Sequence, residues 1–506
     1  MSEPNTMVPS GSSDEQSGVS FPEAECKPAG SSSSVRQRAV RGTLWTLGAF
    51  GIGILLRFGT NLLLAHLLFP AAFALMSLAA VLTQGLKMFS DIGIGLSIVR
   101  SDRGNDPAFL NTAWTIQIIR GLILFLLACL AAWPMAKIYD DDRLLWVVPV
   151  SSLSLIIGGF GATSQFTLNR ELRLGRLTLL NLFERVVQTV ITAGWAILNP
   201  TVWAILVGML ISRVVYVAGT HTWLGHGRNR FAWDKSAVRE LVRFGKWVFV
   251  STAITFFATQ IDRMILGRMT SLEVLGVYSV ALTLAGIPQE IGTRLTESVL
   301  FAALSSVART NRDGLHERLL RARAVLLSGL LVATLGVILA GPWFFRYLYD
   351  ARYAAAEWMA PIAAGCVWIA LLQATADRAL LSLGNSRALA ISGALNLIST
   401  IVFCTVGYSM FDVPGFVAGV GVGNAVGLLV VQVAMSRHGL PIHIQDFKYS
   451  ALLGGLVVLN YLVIRLIGQR WPTVPDWMTA GIVGLPILAA VGLWAALRVK
   501  HQLKSR

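Results

Sequence analysis

The chain alternates between apolar stretches of about 20 residues and short polar connections. A helix of about 20 apolar residues, at 1.5 Å per residue, is long enough to cross a lipid bilayer. The pattern therefore predicts an all-α polytopic membrane protein with about 14 transmembrane helices. The predicted spans lie near residues 43–65, 72–99, 110–133, 144–166, 177–198, 202–224, 245–266, 274–301, 324–345, 358–382, 389–410, 414–436, 449–468 and 478–498.

A stretch from Phe244 to Glu297 has a weaker copy earlier in the chain. Residues 62–79 align without a gap with residues 264–281, an offset of about 202 positions. A helix pair repeated at such a spacing is typical of transporters built from two related halves.

The repeat predicts two pseudo-symmetric six-helix lobes around a central cavity. We place the lobes at residues 39–224 and 245–437, with a cytoplasmic linker at 225–244 and two further helices within 449–498. Residues 1–38 are rich in Ser, Gly, Pro and Glu, and we expect them to form a disordered cytoplasmic tail rather than a cleavable signal.

Composition supports the membrane class and excludes others. Of the 506 residues, 55% are hydrophobic and only 14% are charged, too few charges for a soluble surface. The net charge of +15 is spread over short loops rather than clustered on a soluble domain, so no nucleic-acid partner is expected. Loops on one side, including the one that carries Arg318, Arg321 and Arg323, hold roughly 27 Lys and Arg against 8 on the other. This bias predicts cytoplasmic N- and C-termini.

Ionisable residues inside the apolar spans are the candidate site. Such groups are costly in lipid and normally face an internal cavity. The candidate substrate-binding cations are Arg57, Lys87, Arg120, Arg213 and Arg294. The candidates for binding a coupling proton or sodium ion are Asp91, Glu290 and Glu297. Because cations predominate, we expect an anionic ligand, and guanidinium groups pair well with phosphate oxygens.

Structural roles remain open for several of these residues. Lys87 and Asp91, like Glu290 and Arg294, are four positions apart and could neutralise each other on one helix. Glu184 and Arg185 lie near the end of a predicted span and could extend towards the cytoplasm.

The sequence holds no reaction motif, no metal-ligand spacing and no Walker motif, so we expect neither an enzyme nor a resident cofactor. The glycines Gly415, Gly419, Gly423 and Gly427 recur every four residues inside an apolar span. This spacing indicates close helix packing rather than a phosphate-binding loop.

Several phrases together resemble the polysaccharide-exporter branch of the multidrug/oligosaccharidyl-lipid/polysaccharide (MOP) flippase superfamily. They are residues 261–268 followed by 275–281, the span end at 89–100, and the stretches 348–356 and 379–387. The resemblance covers residues 40–440 and is greatest to flippases of xanthan- or colanic-acid-type exopolysaccharide pathways. The first-half phrase departs from the family pattern at His66, Phe69 and Ala74.

The resemblance implies that the chain moves an undecaprenyl-pyrophosphate-linked repeat unit across the bacterial inner membrane. It further implies membrane lipids, a polysaccharide polymerase and export machinery as partners. Three other classes are weighed against it. A cation-coupled drug or metabolite antiporter of the same superfamily would need a more acidic cavity. A glycosyltransferase would need catalytic acids on a sizeable outside loop, and the outside loops are short. A lipid-linked peptidoglycan-precursor flippase remains an alternative.

Overall fold

The computed structural model describes residues 32–90, 94–95, 98, 103–104, 106–170, 174–225, 229–296, 315–383, 385–470 and 476–504, and within them every regular element is a helix. The helices are α1 Ser32–Leu67, α2 Pro70–Phe89, α3 Pro107–Tyr139, α4 Leu144–Gly159, α5 Ser164–Arg170, α6 Leu174–Leu198, α7 Val202–Thr222, α8 Lys235–Met269, α9 Leu272–Ala285, α10 Ile287–Leu295, α11 Leu315–Leu348, α12 Ala356–Ser382, α13 Ser386–Arg437, α14 His443–Arg470 and α15 Asp476–Lys504. A short 3-10 helix, Ala351–Tyr353, precedes α12.

The helices confirm an all-α polytopic membrane protein. Seven of them (α2, α3, α7, α11, α12, α13 and α14) contain apolar segments long enough to cross a membrane. An eighth candidate span is the pair α9 and α10, which are bent by 41° relative to each other. The bend falls at Gly286, and Pro288 lies in the first turn of α10, where a missing backbone N–H is tolerated. The count of about 14 spans stays a prediction.

The 52-residue helix α13 is sharply kinked. Phe411 and Asp412 leave helical geometry, with φ of 55° at Asp412, and divide α13 into two arms that pack against each other. A Cβ atom at Gly419 would lie 2.5 Å from the carbonyl oxygen of Phe403, and one at Gly423 would lie 2.0 Å from the Thr400 hydroxyl. The predicted role of the glycine repeat in helix packing is therefore confirmed.

One end of the helix bundle is sealed by a large apolar core, and we call it the closed end. The core joins α2 residues such as Leu78 with α9 residues such as Tyr278, so both copies of the sequence repeat contribute to it. The Tyr353 hydroxyl also donates to the carbonyl oxygen of Leu68 at 3.0 Å. The two copies of the repeat are therefore in direct apolar contact at this end.

The opposite end carries residues 229–234, and we call it the linker end. Backbone N–H groups of Arg230 and Asp234 donate to Asn111 and Thr112 of α3, at 3.0 and 3.1 Å. Helix α8 begins at Lys235, inside the stretch predicted as linker. The connection between the halves is thus short and held against α3.

Asp234 caps α8 and fixes the linker electrostatically. Its carboxylate accepts hydrogen bonds from the hydroxyl and the backbone N–H of Ser236. It also forms an ion pair with Arg103, at 3.0 Å. These hydrogen bonds, with those from Ser236 the largest, lower the pKa of Asp234 to about 2. The Asp234 carboxylate therefore stays ionised across the physiological pH range.

The last two helices pack on α11. Arg323 of α11 is fully buried and donates to Asp446 of α14 at 2.9 Å. Arg323 was predicted to lie in a loop, and that prediction was wrong, because α11 begins at Leu315 and the Arg323 side chain points inward to α14.

Replacing Gly276 by Ala should destabilise the closed end. A Cβ atom at Gly276 would lie 1.9 Å from the carbonyl oxygen of Pro70, which is backbone and cannot swing away. We expect a loss of about 1–3 kcal/mol in the free energy of unfolding, measured as a lower melting temperature in detergent. Gly454→Ala is the matched control, since none of the described neighbouring atoms lies within 4 Å of its added methyl group. Equal melting temperatures for the two variants would contradict the close contact.

Candidate functional site

A polar cavity of about 410 Å³ lies between α1 and α6 of the first half and α10 of the second. Its lining residues are Gly53, Ile54, Thr178, Asn181, Leu182, Glu184, Arg185, Gln188, Glu290 and Arg294. Gly53 and Glu184 each stand roughly 20 Å from the closed end at 1.5 Å per residue. The cavity is therefore a concave site between the two halves, the kind of place where membrane transporters bind ligands.

Arg57 connects the two halves beside this cavity. Its Nη1 atom donates to Oε1 of Glu290 at 2.5 Å, an ion pair between residues 233 positions apart. Its Nε and Nη2 atoms are buried and have no hydrogen-bond partner among the described residues. A guanidinium carries donors on all three nitrogens, so Arg57 keeps donors that the described part of the protein does not use.

This ion pair changes the interpretation of Glu290. The sequence allowed Glu290 to be neutralised by Arg294 on its own helix. In the structure the Glu290 carboxylate instead accepts from Arg57 on another helix, and both Glu290 and Arg294 line the polar cavity. The spacing of four residues showed that an intrahelical contact was feasible, but not which way the side chains point.

Arg213 lies deeper within the first half. Its Nη1 atom is 3.5 Å from the carboxylate of Glu184, and its guanidinium stacks over the ring of Tyr216 at 4.9 Å. The side chain runs along Gly158, where a Cβ atom would come within 3.1 Å of Nη2. The absence of a side chain at Gly158 thus makes room for the Arg213 guanidinium.

Lys87 and Arg120 complete this group. Arg120 donates to the Ser90 hydroxyl at 2.9 Å and to the carbonyl oxygen of Lys87 at 2.8 Å. Lys87 is within electrostatic reach of Arg213, Arg120 and Glu184. None of the three cations lines the polar cavity itself, but Glu184, which pairs with Arg213, does.

Glu184 and Arg185 belong to the site more directly than the sequence suggested. Both residues line the polar cavity. Arg185 donates to the carbonyl oxygen of Gly53 at 3.3 Å and is within electrostatic reach of Arg57 and Glu290. The missed signal was a polar stripe on α6, with Thr178, Asn181, Arg185 and Gln188 at helical spacing.

The site is rich in cations. Within the described part of the chain, six cations gather in or beside the cavity: Arg57, Lys87, Arg120, Arg185, Arg213 and Arg294. Two carboxylates accompany them in that part, and each forms an ion pair: Glu184 with Arg213 and Glu290 with Arg57. The predicted acids Asp91 and Glu297 lie outside the described residues. The described arrangement suits an anion.

Solved structures share the fold. The lipid II flippase MurJ in an inward closed conformation superposes with a TM-score of 0.69 at 12% identity, covering 91% of this chain and 99% of that one. An inward-facing MATE family transporter of the MOP superfamily superposes with a TM-score of 0.57 at 14% identity, covering 80% and 96%. At these identities the likeness shows the fold alone.

Curated relatives come from polysaccharide pathways of bacteria. The succinoglycan biosynthesis transport protein ExoT of Rhizobium meliloti is 23% identical over 56% of this chain and 54% of its own length. The lipopolysaccharide biosynthesis protein WzxC of Escherichia coli is 20% identical over 54% and 56%. The teichuronic acid biosynthesis protein TuaB of Bacillus subtilis is 22% identical over 39% and 41%. The chain thus spans about half the length of these relatives.

The sequence profile of one family agrees with these matches and with the resemblance found in the sequence. The profile, described as "Polysaccharide biosynthesis protein", matches residues 63–356, which is more than half of the chain. The chain therefore belongs to the polysaccharide biosynthesis protein family.

Proposed function

We propose that the chain flips undecaprenyl-pyrophosphate-linked oligosaccharide repeat units across the bacterial inner membrane for the synthesis of exopolysaccharide or surface polysaccharide. The observation that carries the proposal is the polar cavity that Arg185 lines, with Arg57 beside it keeping two buried guanidinium nitrogens unbonded among the described residues. A pyrophosphate offers several oxygens to guanidinium groups, and Arg57 and Arg185 stand where such a group could meet both halves.

The proposed architecture has about 14 spans, grouped as two six-helix lobes at 39–224 and 245–437 with two additional helices at 449–498. The closed end would face the periplasm, and the linker end and both termini would face the cytoplasm. Support comes from the Lys and Arg excess in loops at the linker end. The tail is a proposal from composition alone: residues 1–31 lie outside the described residues, and the prediction was wrong for residues 32–38, which belong to α1.

Transport would proceed by alternating access. The charged head group would enter the polar cavity from the cytoplasmic side, while the polyprenyl chain stays in lipid beside the protein. The pyrophosphate would compete with Glu290 for Arg57, because both are anions that bind one guanidinium. Substrate binding would thereby weaken an ion pair that holds the halves together, and the lobes could then rock to open the closed end.

A coupling ion, H⁺ or Na⁺, could act on the same contact. Protonation of Glu290 would remove the charge that holds Arg57 and would leave that cation to the substrate. Asp91 and Glu297 are the other proposed coupling groups. The mechanism needs no resident cofactor, and its proposed partners are the lipid-linked oligosaccharide, membrane lipids, a polymerase and export machinery, without nucleic acid.

Two related transport functions fit less well. An antiporter for organic cations would have to place a positive ligand among six cations and two acids. A flippase for peptidoglycan precursors would use the same pyrophosphate chemistry, and the likeness to MurJ is one of fold. The family match to polysaccharide biosynthesis favours the oligosaccharide substrate.

Deleting the gene tests the proposed function. We expect undecaprenyl-linked repeat units to accumulate in lipid extracts and secreted polymer to disappear. The wild-type gene should restore both, Arg57→Ala and Arg213→Ala should not, and Arg143→Ala, which alters an exposed ion pair with Asp141, should behave as wild type. If the amount of undecaprenyl-linked repeat units and the amount of secreted polymer both stay unchanged, the proposal is wrong and the antiporter becomes the hypothesis to test.

A further inference from the structure

Helix α6 presents a row of polar side chains to the cavity. Thr178, Asn181, Arg185 and Gln188 all line it. At about 100° per residue they fall within an arc of roughly 80° on the helix surface, and the row is about 15 Å long. One face of α6 is thus polar along the whole cavity wall, with a single cation near its middle.

The amides of this row are not used by the protein. Within the described residues, the side chains of Asn181 and Gln188 make no hydrogen bond, and Asn181 is exposed to the cavity. Other polar side chains of the first half form hydrogen bonds within the protein. Gln117 donates to the carbonyl oxygen of Gly158 at 3.2 Å, and the hydroxyls of Thr60 and Thr189 contact each other at 2.9 Å. The two amides of α6 therefore remain available to a ligand.

We propose that this face of α6 recognises the sugar part of the substrate and that Asn181 and Gln188 determine its specificity. The inference rests on the proposed function. A carboxamide offers both donors and an acceptor, as a sugar hydroxyl does, whereas a guanidinium only donates. Sugar hydroxyls that leave water must regain hydrogen bonds in the cavity, or binding loses free energy for each one left unpaired.

The order of the row suits a head group that combines charge and hydroxyls. Asn181 and Gln188 flank Arg185 along the helix axis, at about 6 Å and 4.5 Å by helical rise. A phosphate on Arg185 would place the attached sugar beside one of the two amides. Because the amides are neutral, their removal leaves in place the positive charge that attracts the phosphate, so the charged and the sugar-binding functions of the face are separable by mutation.

The test compares two probes on purified full-length protein in phospholipid nanodiscs. One probe is a polyprenyl diphosphate without sugar, and the other is an undecaprenyl-diphosphate-linked oligosaccharide extracted from the cells that encode the protein. The double variant Asn181→Ala/Gln188→Ala should bind the sugar-free probe as wild type does and the glycosylated probe about tenfold more weakly. Arg185→Ala should weaken binding of both probes. Gln469→Ala removes an exposed amide from α14, away from the cavity, and should change neither affinity.

The outcomes separate the inference from the proposed function. Unchanged binding of the sugar-free probe by the double variant also shows that the variant is folded. Equal affinities of wild type and double variant for the glycosylated probe, or equal losses for both probes, would overturn the sugar-recognition face. If wild type binds the sugar-free probe and Arg57→Ala and Arg185→Ala bind it equally well, the proposed function fails instead.

Discussion

Arg57→Gln is expected to lower the affinity for a polyprenyl diphosphate, and the rate of its transport at limiting concentration, by about ten- to a hundredfold. A hydrogen bond to a charged group is worth about 1.5–3 kcal/mol, and each 1.4 kcal/mol changes an affinity about tenfold. The change removes a cation whose Nε and Nη2 are buried without a described partner. It also leaves the Glu290 carboxylate without its 2.5 Å ion pair in the same cavity, where it would repel the substrate. Flux into proteoliposomes is the direct measurement.

A second variant distinguishes anion binding from a purely structural ion pair. If Arg57 contacts the substrate, the double variant Arg57→Gln/Glu290→Gln should recover part of the lost affinity, because it removes the repelling carboxylate. Glu290→Gln alone should then bind the sugar-free diphosphate at least as tightly as wild type. If the pair only holds the halves together, Glu290→Gln should weaken binding of the sugar-free diphosphate as much as Arg57→Gln does.

The matched control is another arginine in an ion pair. Arg143 contacts Asp141 at 2.6 Å, but it lies in an exposed loop at the closed end. Exposed ion pairs contribute little to stability, and this one is remote from the cavity. Arg143→Gln should therefore keep full transport. A similar loss in both variants would indicate a general effect of removing positive charge rather than a binding site.

The sequence predicted the class of fold because membrane insertion imposes a simple physical rule. Apolar segments of about 20 residues had to be helices, since no other isolated element satisfies its backbone groups in lipid. The spacing of Gly419 and Gly423 gave the close packing of the two α13 arms for a similar reason, because only a residue without a side chain allows such contact. Both inferences depend on local sequence.

Partners across the fold were harder to infer. Glu290 had a neighbour of opposite charge four residues away, yet its ion pair joins it to Arg57, 233 positions earlier. Arg185 was close to a span end by count, but the face it occupies on α6 turns it into the cavity. Each inference requires knowing how a helix is rotated about its axis relative to its neighbours. A single sequence shows the period of a helix but not that orientation.

Arg323→Met is expected to reduce the free energy of unfolding by about 3–5 kcal/mol, the loss typical of removing one partner from a buried ion pair. Arg323 is fully buried, and Asp446 is 3% exposed. Besides Asp446, the guanidinium donates to the Thr375 hydroxyl at 2.9 Å, and Asp446 also accepts from Gln432 at 2.8 Å. One ion pair therefore links α11, α12, α13 and α14. The melting temperature in detergent should fall by several degrees.

The control for this prediction lies two residues away on the same helix. Arg321 is exposed and forms an ion pair with Glu317 one turn earlier. Arg321→Met removes the same charge and should change the free energy of unfolding by no more than about 0.5 kcal/mol. If the two variants have the same melting temperature, the buried hydrogen-bond network around Arg323 makes no measurable contribution to the free energy of unfolding.

Removing both partners decides what the buried pair does. A buried charge left alone is destabilising, whereas replacing a whole pair by apolar groups is often neutral or stabilising. Arg323→Met/Asp446→Leu should therefore melt closer to wild type than Arg323→Met does. If the double variant folds well but transports poorly, the pair serves to hold α14 in one position on α11, so that the last helices move with the second half during transport. If it transports normally, apolar packing of α14 and α15 on α11 is sufficient, and the ion pair matters only because neither charge can be buried alone.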